Sequence, residues 1–202
     1  MASILRVITG PMFSKKSTRL IEALDDEAHA DKIILLLKPA TPNGDRTSGI
    51  SFRKKKLQRE KKSQFEEFAA YTINSAMEAE ELFQKIKPHV VGIDEAHFLS
   101  YEFLDWITEK LVQHKDSELQ LIVSGLDTDF SRRPFGIMPQ LMALADEVTK
   151  LKGKCDVCKG KKGSGILTLK KGGSLRQIEV GDKEIYGVTC RACHTIPKLP
   201  GL

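Results

Sequence analysis

The segment Gly10-Pro-Met-Phe-Ser-Lys-Lys-Ser17 has the residue types and spacing of a phosphate-binding loop. It follows an apolar run and precedes an amphipathic stretch, which is the context that the pattern G-x-x-x-x-G-K-[ST] requires. In such a loop, backbone N–H groups and the N-terminus of the next helix attract phosphate oxygens. We expect Lys16 to reach the terminal phosphates of a nucleotide and Ser17 to offer its hydroxyl to Mg²⁺. The predicted phosphate-binding residues are Gly10, Pro11, Met12, Phe13, Ser14, Lys15, Lys16 and Ser17.

Lys15 is the one residue of this segment that departs from the pattern, which has glycine there. Glycine lets the backbone approach the phosphates without a Cβ in the way. A lysine side chain is expected to crowd that space, although its positive charge is compatible with phosphate. The motif alone leaves a plain strand–turn–helix as the alternative interpretation.

Two adjacent acids, Asp94 and Glu95, follow the apolar run of residues 90–93. In open α/β sheets, ligands collect at the carboxyl ends of the strands. An aspartate at that place typically supports Mg²⁺, often through water, and the next carboxylate can act as a base. The alternative is a pair of surface acids that cap a following helix. The phosphate loop upstream favours the catalytic interpretation.

Four cysteines form two Cys-x-x-Cys pairs, Cys155 with Cys158 and Cys190 with Cys193. Two such pairs supply the tetrahedral thiolate set that structural Zn²⁺ prefers. The second pair, followed by His194, also satisfies the c-type haem attachment pattern, but this would leave the first pair unexplained. A redox pair normally opens a helix after a strand, which is a different context. We therefore expect a zinc ribbon, with His194 as a bystander.

The elements that must position these residues alternate between apolar runs and amphipathic stretches. Residues 4–9, 33–37, 90–93 and 119–125 predict buried strands, and residues 68–73 predict a shorter one. Predicted helices cover residues 17–29, 76–86 and 101–115, with Ser75 as an N-cap and another helix starting at Pro139. This alternation indicates an α/β fold with a parallel sheet. After Lys150 glycine and lysine become frequent, so we place a domain boundary near residue 151.

Composition narrows the class of protein. The apolar runs are too short to cross a membrane and the N-terminus has no signal-peptide pattern, so we expect a cytoplasmic protein. The formal net charge of +5 reflects a local basic run between Arg53 and Lys62. Such a run is typical of a solvated loop, and a nucleic-acid patch is less favoured because no aromatic residue is interleaved. A contribution to polyphosphate binding stays open.

Taken together, the motifs resemble the cytosolic, zinc-containing type II thymidine kinases. The matching strings are Gly10-Pro-Met-Phe-Ser, Lys38-Pro-Ala, Ile93-Asp-Glu-Ala-His-Phe98, Gly125-Leu-Asp-Thr-Asp-Phe130, Pro134-Phe-Gly136, Leu144-Ala145, Val148-Thr-Lys-Leu151, Tyr186 and Cys190-Arg-Ala-Cys-His194. Each string is short, but their order and spacing over nearly the whole chain are specific.

The resemblance implies transfer of the ATP γ-phosphoryl group to the 5′-hydroxyl of thymidine or deoxyuridine. It implies Glu95 as general base, Asp94 with Ser17 at Mg²⁺, structural Zn²⁺ on the cysteines, and a homotetramer. It also implies a P-loop (RecA-like) domain over residues 1–150 and a zinc-ribbon and lid (lasso) domain over residues 151–202. The implied nucleoside-binding residues are Leu126, Phe130, Phe135, Thr168, Gln177, Ile178, Glu179, Val180 and Tyr186. Asp45 and Arg46 match a family acid and arginine less closely, because their spacing differs.

Departures from the family pattern accompany the resemblance. Besides Lys15, His97 replaces the usual glutamine, and Ser51-Phe52 replaces the usual Ser-His. These changes leave two alternatives beside an active kinase. One is a nucleotide-binding relative with impaired turnover, and the other is a nucleic-acid-binding zinc-ribbon protein that uses residues 53–62.

Overall fold

A computed structural model describes residues 2–40, 70–172 and 184–196 of the chain. The basic run, Asp45, Arg46 and the predicted nucleoside contacts at 177–180 lie outside these described residues. Six strands form a parallel sheet: β1 Ile4–Thr9, β2 Ile34–Pro39, β3 Ala70–Ile73, β4 Val90–Ile93, β5 Gln120–Gly125 and β6 Glu147–Lys150. Their order across the sheet is β3-β2-β4-β5-β1-β6. The predicted parallel α/β fold is therefore confirmed.

In the described segments, four helices cover the two faces of this sheet: α1 Lys16–Ala28, α2 Ala76–Ile86, α3 Tyr101–Gln113 and α4 Met138–Leu144. Side chains alternate along each strand, so Val91 and Ile93 join the core under α2, α3 and α4. Val90 joins the opposite core with Leu20 and Leu24 of α1. Burial on both faces explains why the central strands read as continuous apolar runs.

Gly92 sets the distance between α1 and the sheet. A Cβ at this position would lie 2.6 Å from Leu24 Cδ1 and 3.1 Å from Leu36 Cδ1. Only glycine lets the two fully buried leucines pack directly on the strand. This close packing fixes α1, and with it the loop that precedes α1, against β4.

Most element boundaries agree with the sequence-based expectation. The strands at 4–9 and 90–93 and the helix at 76–86 are confirmed at both ends, and the helix expected over 101–115 ends at Gln113. Strand β6 was not predicted. Its residues Glu147, Val148 and Lys150 are exposed, so no apolar run marks it, and it pairs only with β1 among the described strands.

A second, two-stranded sheet lies after residue 151. Strand β7, Leu167–Lys170, pairs antiparallel with β8, Tyr186–Thr189. The two cysteine pairs flank this ribbon, one before β7 and the other directly after β8. Among the helices of the described segments, none combines the length and the apolar character that crossing a bilayer demands.

The N-cap of α2 yields a test of the local folding signals. Ser75 accepts a 3.2 Å hydrogen bond from the Glu78 N–H, and the Glu78 carboxylate accepts from the Asn74 N–H at 2.8 Å. We predict that Ser75→Ala lowers the free energy of unfolding by about 1 kcal/mol, measured by urea denaturation. Ser100→Ala is the matched control, because Ser100 precedes α3 without a side-chain cap bond. Equal losses in both variants would contradict the capping role.

Candidate active site and metal centre

The phosphate loop lies at the carboxyl edge of the parallel sheet. Thr9 ends β1 beside Gly125 at the end of β5, and Ile93 ends β4 beside Val123. Gly10 follows with a φ of 141°, and a Cβ there would lie 2.5 Å from the Leu151 carbonyl oxygen. The register of β1, β4 and β5 therefore places the loop and the acids after β4 at one edge.

Lys15 has a left-handed backbone, with φ 68° and ψ 33°, and an exposed side chain. A residue with a Cβ adopts this conformation at a cost, whereas glycine adopts it freely. The glycine of the general pattern thus meets a conformational requirement of the backbone at this position. Lys15 satisfies the same requirement at a steric cost, while its side chain faces solvent.

Lys16 is the buried cation of the loop. Its side chain folds over the loop, and Nζ donates a 3.0 Å hydrogen bond to the Pro11 carbonyl. Burial lowers the pKa of Lys16, while the nearby charges of Glu95, Asp94 and Asp127 oppose that shift. Three carboxylates therefore lie near enough to favour the charged form of an ammonium group that the sequence predicts to bind phosphate.

Asp94 is fixed by its own neighbours. It is 4% exposed, and its Oδ1 accepts hydrogen bonds from the Ser124 hydroxyl on β5 and from the Glu95 N–H at 3.0 Å. Both bonds fall on one oxygen, which sets the orientation of the carboxylate next to the loop. A carboxylate held here and the hydroxyl of Ser17, at the start of α1, are the hard oxygen donors that Mg²⁺ accepts.

Glu95 occupies the mouth of the site. Its backbone is left-handed, with φ 55°, and its side chain is 45% accessible. The carboxyl thus reaches solvent, yet protein atoms surround it closely enough that burial raises its pKa. The charge of Asp94 adds to this effect and Lys16 opposes it, so that the pKa lies at about 7.

His97 is a site residue whose contacts the sequence did not reveal. It lies in the 3₁₀ turn Ala96–Phe98 after β4 and is 3% exposed. Its Nδ1 accepts a hydrogen bond from the Leu126 N–H at 3.2 Å, and its Nε2 lies 3.3 Å from Glu95 Oε2. Burial and the charge of Lys16 lower its pKa to about 3, which keeps the ring neutral.

The described nucleoside-binding candidates are all buried, and they come from the loop at 126–136 and from the ribbon. Phe135 packs on the His97 ring with centroids 4.7 Å apart. Phe130 and Tyr186 share one cation, because Lys170 Nζ lies 4.8 Å from the first ring centroid and 5.7 Å from the second. Thr168 accepts a 3.1 Å hydrogen bond at Oγ1 from the Met12 N–H of the phosphate loop.

Asp127 and Lys150 form an ion pair across the end of β1 that the sequence analysis did not assign. Asp127 is 6% exposed, and its Oδ2 contacts Lys150 Nζ. The pairing follows from register, because Lys150 and Gly125 both lie beside Thr9. The only sequence signal was the string at 125–130, which marked Asp127 without a partner.

His194 is not among the four clustered ligand candidates, in agreement with the prediction that it is a bystander and not a fifth ligand, and it joins three segments. Its Nδ1 accepts a 3.1 Å hydrogen bond from Arg132 Nε, and its Nε2 donates to the Thr168 carbonyl at 3.1 Å. The Arg132 guanidinium also donates to the His194 carbonyl oxygen at 3.2 Å. These bonds tie the second cysteine pair to β7 and to the loop after β5.

The four cysteine Sγ atoms lie within 4.8 Å of one another. Tetrahedral Zn–S bonds of about 2.3 Å separate neighbouring sulfurs by about 3.8 Å. The Cys158 and Cys190 sulfurs, one from each pair, are 3.8 Å apart. The Lys162 N–H points at the Cys158 sulfur at 3.3 Å, as amide donors do in thiolate metal sites. The cluster therefore fits a metal ion shared by both pairs, which haem attachment to one pair would not explain.

Comparison with known proteins decides the family. The family model described as "Thymidine kinase" matches residues 3–194. The chain belongs to the thymidine kinase family.

Named thymidine kinases match this chain over almost its whole length. The thymidine kinase of Mesomycoplasma hyopneumoniae is 34% identical over 193 residues, covering 96% of each chain. That of Coprothermobacter proteolyticus is 37% identical over 203 residues, covering 96% of this chain and 91% of its own. That of Mycoplasma genitalium is 31% identical over 189 residues, covering 94% of this chain and 82% of its own. Among solved structures, a DNA replication initiation factor aligns with a TM-score of 0.39 at 11% identity, covering 73% of this chain and 40% of that one.

Metal removal tests the link between the cysteine cluster and the rest of this thymidine kinase family site. We predict one Zn²⁺ per chain and a fall in Tm of roughly 5 °C or more when a chelator removes it. Losing such a site costs several kcal/mol, and each kcal/mol shifts the Tm of a chain of this size by about 2–4 °C. Calorimetric scans with metal analysis measure both. Cys155→Ser is the control, in which chelator should cause no further change. An unchanged Tm after verified metal loss would refute a structural role.

Proposed function

We propose that this member of the thymidine kinase family transfers the γ-phosphoryl group of ATP to the 5′-hydroxyl of thymidine or deoxyuridine. The observation that best supports the proposal is the strand register, which brings the loop that carries Lys16 and the acids after β4 to one edge of the sheet. A phosphate-binding cation and a basic carboxylate side by side are what phosphoryl transfer to a hydroxyl requires.

The phosphate loop, residues 10–17, holds the triphosphate in this proposal. Its backbone N–H groups and the N-terminus of α1 face the phosphates, and the Lys16 ammonium exchanges the Pro11 carbonyl for phosphate oxygens. Ser17 and Asp94 would hold Mg²⁺, Asp94 through its carboxylate next to the loop. When bound, the ion neutralises charge on the phosphates and orients them. No covalent enzyme intermediate is needed, because catalysis of this kind depends on positioning and charge.

Glu95 acts as the general base. Its carboxylate accepts the proton of the 5′-hydroxyl while the oxygen forms its bond to the γ-phosphorus, and the bond from that phosphorus to the β-bridging oxygen breaks to release ADP. A pKa of about 7 suits this role, because a base works best when its pKa lies near the working pH. The accessible side chain at the mouth of the site lets a substrate hydroxyl reach the carboxylate.

The nucleoside lies against the loop at 126–136 and the ribbon. Leu126, Phe130, Phe135 and Tyr186 supply apolar and aromatic surface that suits a neutral base, and Thr168 borders the phosphate loop. In this proposal residues 1–150 form the nucleotide-binding domain and residues 151–202 form the zinc-ribbon and lid domain. Residues 177–180, which lie outside the described structure, would complete the enclosure as part of that lid. Assembly into a tetramer stays a prediction.

Direct assay of thymidine monophosphate formation from ATP and thymidine tests the function, and Glu95→Gln tests the base. We predict that this variant loses a factor of about 10²–10⁴ in kcat, because general base catalysis contributes that much. Thymidine binding, measured by calorimetry, should stay within about threefold, since glutamine keeps the shape of the side chain. Turnover of the variant at the parental rate would exclude Glu95 as the base.

Glu22→Gln is the matched control for that experiment. Glu22 lies on the exposed surface of α1, paired with Arg19, and its side chain is 58% accessible. Its kcat should equal that of the parent. If the parent forms no thymidine monophosphate at any concentration of ATP and Mg²⁺, the proposed function is wrong.

The pH dependence of kcat/KM gives a separate test of Glu95. The base works only when deprotonated, and its pKa is raised to about 7. We therefore predict that kcat/KM falls about tenfold per pH unit below 7 and levels off above it. Lys16, Asp94 and His97 are the charged or titratable described groups that face Glu95, and the neutral His97 adds no charge in this range. A flat profile from about pH 5.5 to about pH 8 would contradict the assignment.

A further inference from the structure

The ring of His97 lies between the candidate base and the loop that borders the nucleoside. The side chain is 1% accessible, so every polar contact of its two nitrogens lies within the protein. On one side Nδ1 faces the Leu126 N–H at 3.2 Å, and on the other Nε2 faces Glu95 Oε2 at 3.3 Å.

The two partners assign the tautomer of the ring. A backbone N–H can only donate, so Nδ1 must be the acceptor and carry no proton. The proton of a neutral imidazole then lies on Nε2, and this nitrogen is 3.3 Å from Glu95 Oε2. His97 therefore presents an N–H within reach of the Glu95 carboxylate, and the bond from the Leu126 N–H fixes which nitrogen carries that proton.

Aromatic and backbone packing fixes the plane of the ring. Phe98 lies 4.1 Å and Phe135 lies 4.7 Å from the His97 ring centroid. The backbone is clamped as well, since a Cβ on Gly136 would lie 2.2 Å from the His97 carbonyl oxygen. With its ring and backbone both held, His97 has little freedom to follow the carboxylate, so the carboxylate must follow His97.

We propose that His97 is a positioning residue that orients the Glu95 carboxylate through its Nε2–H and couples that orientation to the loop at 126–136. The inference rests on the proposed function of Glu95 as the base. The Glu95 side chain is 45% accessible, and no hydrogen bond from another described residue holds its carboxylate. His97 Nε2–H lies 3.3 Å from that carboxylate and can serve as its donor, while the contacts of His97 with Leu126 and Phe135 connect the base to the nucleoside wall.

Two substitutions separate positioning from simple packing. Glutamine can donate from its amide N–H₂ to Glu95 and accept at its oxygen from Leu126, so His97→Gln keeps both polar contacts without the ring. His97→Leu fills the space but can make neither contact. We expect His97→Leu to lose about 10- to 100-fold in kcat, because a misplaced catalytic group costs about that much. The KM values should change less than about threefold, and His97→Gln should recover kcat to within about threefold of the parent.

A double-mutant cycle with Glu95→Gln tests whether His97 affects kcat through Glu95. If His97 acts through Glu95, adding His97→Leu to Glu95→Gln should lower kcat by less than about twofold. Multiplicative losses, parental kcat in His97→Leu, or failure of His97→Gln to recover kcat would each overturn the proposal. A loss in kcat matched by an equal loss of thymidine affinity would also overturn it, since that result indicates packing alone.

A spectroscopic readout keeps this inference distinct from the proposed function. In ¹⁵N-histidine spectra of the whole chain, His97 should appear as the neutral Nε2–H tautomer, and Glu95→Ala should shift its Nε2 resonance. That result supports the contact even if thymidine proves not to be the substrate. A Nδ1–H tautomer, or a resonance unmoved by Glu95→Ala, refutes the positioning role whatever the kinase assay shows.

Discussion

Burial of the Lys16 ammonium is the constraint on which the site depends. A lysine removed from water keeps its charge only when opposite charges compensate the lost hydration. Asp94, Glu95 and Asp127 supply that compensation, and they arrive from the ends of two different strands. The carboxylates in turn depend on Lys16, since two adjacent acids without a cation would repel each other. The loop and the acidic sheet edge therefore stabilise one another as a unit.

The small ribbon after residue 151 extends this unit. A pair of four-residue strands is too small for a core of its own, so its position depends on contacts with the larger sheet and on the cysteine cluster. Thr168 meets the phosphate loop, and His194 meets Arg132 in the loop after β5. The cysteine cluster is thus connected to the phosphate loop through Thr168 of β7, and to the loop at 126–136 through His194.

Local signals made several elements predictable. Buried parallel strands leave continuous apolar runs, and Ser75 directly before an amphipathic stretch is a typical N-cap, so these elements are predictable where they occur. The phosphate loop and the acids were placed by the rule that parallel strands end at a common edge. Strand β6 was not predictable, because its exposed residues leave no apolar pattern and it forms by pairing with β1.

The sequence by itself determined the fold class, the family resemblance, and the candidate roles of Lys16, Asp94, Glu95 and the cysteines, because each depends on residue type and short spacing. Tertiary structure decided which groups meet across long separations. His97 contacts Leu126, Lys150 reaches Asp127, and Arg132 reaches His194, and each contact depends on strand register or loop packing. No periodicity encodes such contacts, since they join segments that the chain brings together only when the sheet and the ribbon are complete.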